Sequence, residues 1–146
     1  MAYSRDKFRM RFYNVIVPIQ KHLSLIFYTK LYEPNNEFLK INENHWKSEL
    51  IGFSIPFCDD IVKENNSVKY RKNALMQEIN DKELLFAPTD KPYSSARFLL
   101  LQDEHIEMSD EQWSSIIDLI KPMWEKIVDC IANSDKESLI KLFNNL

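Results

Sequence analysis

Apolar residues recur at Trp113, Ile116, Ile117, Ile120, Trp124, Ile127, Val128 and Ile131. Steps of three and four trace one face of an α-helix. Ser114, Ser115, Asp118, Lys121, Glu125 and Asp129 fall largely on the opposite side. Ser109 and Gln112 form a capping box that answers the backbone N–H groups left over at a helix start. Asp110 and Glu111 place negative charge in the first turn, where the helix dipole favours it. Pro122 interrupts the pattern without changing its phase, so the spacing predicts a long helix over 109–131 that is kinked, or at worst divided, at the proline. Asn133 ends it. Ser134 and Glu137 read as a second capping box opening a short terminal helix with Leu139, Ile140, Leu142, Phe143 and Leu146.

At the other end, Phe8, Phe12, Val15, Ile16, Ile19 and Leu23 recur at helical spacing behind a Ser4 cap. This first helix, over 4–23, is expected to stop near Val17, because the residue before a proline avoids the helical region.

The middle of the chain reads as strands. Leu25–Tyr32 is rich in aromatic residues and reads as one strand, Glu33-Pro34-Asn35-Asn36 as a turn, and Phe38–Ile41 as the returning strand of a hairpin. Asn42–Asn44 is a break. In Glu49–Cys58, Ile51, Phe53, Ile55 and Phe57 alternate with Gly52, Ser54 and Pro56, the pattern of a strand with one apolar face. Pro56 puts that end at an edge or a bulge. Residues 59–67 are a polar loop, and 68–80 suit a short helix better than a strand. Thr89–Pro92 is a loop. Ser95–Gln102 is an apolar strand, joined to the long helix by the polar link Asp103–Met108. The expected fold class is therefore α+β: a single globular domain over 1–146 with a roughly four-stranded antiparallel sheet, an N-terminal helix, a long amphipathic C-terminal helix and a short terminal helix.

Composition supports a packed domain, with 45% hydrophobic and 12% aromatic residues among 146. The single glycine, Gly52, excludes the glycine-rich phosphate loops of nucleotide-binding proteins. Cys58 and Cys130 do not form a C-x-x-C pair; they read as two buried free thiols in a reducing compartment. Arg5–Arg11 is charged and no clean apolar segment follows, so no signal peptide is expected, and no apolar run is long enough to span a bilayer. A cytoplasmic location is the expectation. The richness in Asn, Lys and Ile suits an AT-rich bacterial or phage genome.

Most signatures of chemistry are missing. Asp103, Glu104, His105 and Glu107 could hold a divalent cation or exchange protons, but no second histidine lies nearby, so the segment reads as a solvated link. Cys58 beside Asp59 and Asp60 is a poor nucleophile, since adjacent acids raise a thiol pKa. His22 is read as sitting near a helix C-terminus and His45 as packing on Trp46. No G-x-S-x-G elbow and no Glu-x-Lys or Asp-x-Lys nuclease signature occurs. The segment from His45-Trp46 into the apolar run resembles a stretch downstream of the catalytic core in PD-(D/E)XK-type proteins; it carries no catalytic residue and implies no activity. No catalytic residue, metal or cofactor is assigned.

Charge is unevenly spread within a net −3: residues 1–32 carry net +5 and residues 101–146 net −6. Arg5 with Arg9, and Lys7 with Arg11, form two positive rows on the first helix. These four are the candidate partner-binding residues, because a one-sign patch steers association. The expected function is a non-enzymatic accessory, inhibitor or chaperone-like module that docks to another protein. The alternative is a nucleic-acid-binding accessory using the basic helix, and the second alternative is a small enzyme with an unrecognised site.

Overall fold

The computed structural model describes residues 5–63, 66–81, 98–101 and 104–146; for 5–11, 13, 80–81, 98–101 and 104–105 it describes the backbone only. The order of elements is α1 (Arg5–Tyr32), α2 (Glu37–Ile61), α3 (Val68–Asp81), β1 (Phe98–Leu101), β2 (Glu104–Glu107), α4 (Asp110–Ala132) and α5 (Lys136–Asn144). The α+β expectation is overturned. Among the described residues there are five helices and a single antiparallel strand pair, with Phe98 opposite Glu107 and Leu101 opposite Glu104. The described residues contain no four-stranded antiparallel sheet.

Three stretches expected to be strands are helical. Leu25–Tyr32 completes α1, while Phe38–Ile41 and Glu49–Cys58 both lie in α2. The first follows a stretch of α1 that is buried on most of its circumference: His22, Leu23, Ser24, Leu25 and Ile26 are all inside. A helix surrounded by protein needs no polar face, so its sequence reads like a buried strand. Its hydroxyls are satisfied within the helix. Ser24 Oγ donates to Gln20 O at 2.7 Å, and Thr29 Oγ1 to Leu25 O at 2.8 Å. In α2 the buried set is Leu39, Trp46, Leu50, Ser54, Phe57, Cys58 and Ile61. That series has helical spacing, and the alternation of Ile51, Phe53, Ile55 and Phe57 overlaps it by coincidence; Phe53 is exposed.

Pro18, Pro56 and Pro122 each lie inside a helix rather than ending one. Each deprives the carbonyl four residues back of its donor. Those carbonyls belong to Asn14, Gly52 and Asp118, which are all exposed, so water can serve them. The Glu33–Asn36 turn is present but joins two helices, with Asn36 capping α2 by accepting from the Leu39 N–H at 3.1 Å. Residues 68–81 form a helix, as the spacing predicts. The link 104–107 is a strand, whereas Thr89–Pro92 lies outside the described residues.

The expectation for α4 holds in detail. Its capping box is formed, its eight apolar positions are all buried, and Asn133 is its C-cap. The second capping box, expected from Ser134 and Glu137, does not form. Asp135, not Ser134, caps α5, accepting from the Ser138 N–H at 3.2 Å. Ser134 instead takes a left-handed backbone (φ 52°) that reverses the chain, and its hydroxyl donates to Cys58 O at 3.2 Å.

The aromatic and aliphatic residues of α4 cover α1, α2, α3 and α5. Trp124 Nε1–H donates to Gln20 Oε1 at 3.0 Å in the interior, tying α4 to α1. Phe12 of α1 stacks on Phe57 of α2 with ring centroids 5.6 Å apart. Arg71 of α3 is buried, and its Nε–H donates to Ala132 O at 2.9 Å, at the end of α4.

Candidate functional site

The outward side of α2 carries the most distinctive surface among the described residues. Phe38, Ile41, His45, Ser48, Gly52, Pro56 and Asp59 recur at helical steps along it, and all are exposed. Ile41 is 75% exposed, Phe38 41% and Phe53, on its flank, 39%. Val62, the residue capping α2, is 37% exposed. Single exposed apolar residues are ordinary, but several aligned on one helix mark a contact surface. Gly52 sits in the middle of the stripe, one turn from Ser48 and one from Pro56. A Cβ placed on it meets nothing within 4 Å, so no packing within the described residues requires glycine there. A mid-helix glycine costs roughly 0.5–1 kcal/mol relative to alanine.

Beside Gly52 lies a polar cluster that joins α2 to α1. Glu49 reaches two imidazoles. His22 Nε2–H donates to Glu49 Oε2 in a short bond, and His45 Nε2–H donates to Glu49 Oε1 at 2.6 Å. His22 Nδ1–H donates to Pro18 O at 2.7 Å. Both ring nitrogens of His22 therefore face oxygens, one on α1 and one on α2. The edge of the cluster is Phe53, whose ring meets His22 nearly edge-on at 6.1 Å between centroids. Burial works to raise the Glu49 pKa, but hydrogen bonding and positive charge from His22 and His45 outweigh it and hold the carboxyl below its ordinary value. Further along the same interface, Lys30 Nζ lies 3.5 Å from Glu43 Oε1.

The depressed Glu49 pKa fixes the sign of a pH effect. A carboxyl favoured in its charged form by folding stabilises above its ordinary range, and that stability is lost as pH falls through the folded pKa. We expect Glu49→Gln to lower the thermal midpoint near pH 7, with the gap to wild type closing as pH falls below the ordinary value of 4.5. Melting curves across this range check it. A gap that stays constant to about pH 3, below the ordinary carboxylate range, would remove Glu49 as the anionic tie between α1 and α2.

His22 lies within α1 rather than at its end, and His45 bonds Glu49 rather than stacking on Trp46, correcting both sequence expectations. Arg5, Lys7, Arg9 and Arg11 fall on the first turns of α1; their side chains lie outside the described residues, as do Asp103 and the side chains of Glu104 and His105. Glu107 is exposed. Among the described residues, no group of three or more His, Cys, Asp or Glu side chains is arranged to hold a metal ion. Cys58 and Cys130 are free thiols, Cys58 buried and Cys130 partly so. Burial and neighbouring acids push the Cys58 thiol up to about 11 and raise that of Cys130 as well; for Cys58, Lys136 acts in the opposite sense.

No family model, curated protein or solved structure matches this chain. Its function must therefore be read from its own surface. Among the described residues, no helix is long and apolar enough to cross a membrane. The α2 stripe is hidden in the sequence because Phe38, Ile41 and Phe53 read there as strand residues. The signal that reveals it is the three- and four-residue spacing of Phe38, Ile41, His45, Ser48, Gly52, Pro56 and Asp59, which places them together only on a helix.

Proposed function

We propose that this chain is a non-enzymatic docking module that binds another protein through the outward face of α2, acting as an accessory, inhibitor or chaperone-like factor. The observation that carries this reading is the set of exposed apolar residues Phe38, Ile41 and Phe53 along one side of one helix, with His45 and Asp59 in the same stripe to set orientation. Two free thiols suit a reducing compartment, which supports a cytoplasmic location. The test is photo-crosslinking in cells with a benzophenone amino acid at Ile41 and, as a control, at exposed Leu119 of α4. A discrete protein adduct from Ile41 and not from Leu119 is the expected result. Equal or absent adducts at the two positions would sink the reading.

The nucleic-acid alternative is favoured by one observation, that α1 is helical from Arg5. Arg5 and Arg9, and Lys7 and Arg11, therefore do stand about one turn apart on a helix. Generic DNA or RNA should then bind at low salt and be lost in Arg5→Glu/Arg9→Glu, with affinity falling steeply as salt rises. Absence of any low-salt binding by the wild-type chain removes this reading.

A further inference from the structure

We draw no further inference here: the strongest candidate, the outward face of α2 with its exposed Phe38, Ile41 and Phe53, belongs to the docking site already described, and nothing in the structure shows what covers it.

Discussion

Trp124→Ala should cost about 3–5 kcal/mol of folding stability, the range for large aromatic side chains removed from a core. Two effects add. The indole is 2% exposed and lies on the buried face of α4 among Ile120, Ile127 and Val128, so its removal leaves a cavity rather than a surface dimple. Its N–H also donates to Gln20 Oε1 at 3.0 Å, and Gln20 is itself buried in α1. Loss of a partner in the interior costs about 1–3 kcal/mol for the group left behind. Trp124→Phe separates the two, because it keeps most of the apolar volume and removes the donor. Urea denaturation of both variants checks the result. A loss under about 1 kcal/mol for Trp124→Ala would place α4 outside the core.

Arg71→Met should cost about 1.5–3 kcal/mol, the range for a hydrogen bond to a charged group. Arg71 is 6% exposed and holds Ala132 O at the C-terminal end of α4. The last turn of α4 has no basic residue of its own, so α3 supplies the cation that the helix dipole favours there. Methionine preserves much of the stem and its packing, which confines the loss to the charge and its donors. Arg71→Lys should recover part of the stability, because it restores charge without the planar fork. Equal stability of Arg71→Met and wild type in urea would mean that the interior gains nothing from this contact.

Local signals are legible wherever one side of an element faces water. The α4 sequence specifies its cap, its buried face and its end, because a helix with one wet side must repeat apolar residues every three or four positions. The turn at Pro34-Asn35 and the terminal helix are readable for similar reasons, as turns and caps are local hydrogen-bond problems. Asp135 displaces Ser134 as the cap because the reversal between α4 and α5 needs a left-handed residue, a demand set by where α5 must lie.

Tertiary structure decided the rest. A helix packed on most sides loses its polar stripe, and with it the period that separates helix from strand; this is why the second half of α1 looks like sheet, whereas in α2 exposed apolar residues such as Phe53 interleave with the buried set and mimic alternation. Prolines look like helix ends in sequence, yet Pro18, Pro56 and Pro122 persist inside helices at positions where the residue that loses its donor is exposed. The same alternation hides the outward face of α2. His22 and Glu49 stand 27 positions apart and meet only because α1 and α2 pack side by side. By itself the sequence determined the amphipathic C-terminal half, the caps and the charge imbalance, since these follow from neighbours along the chain. The packing of α1 on α2 determined the His22–Glu49–His45 cluster and left Phe38, Ile41 and Gly52 facing outward, because which side of a helix with apolar residues on more than one side meets water depends on what covers the other sides.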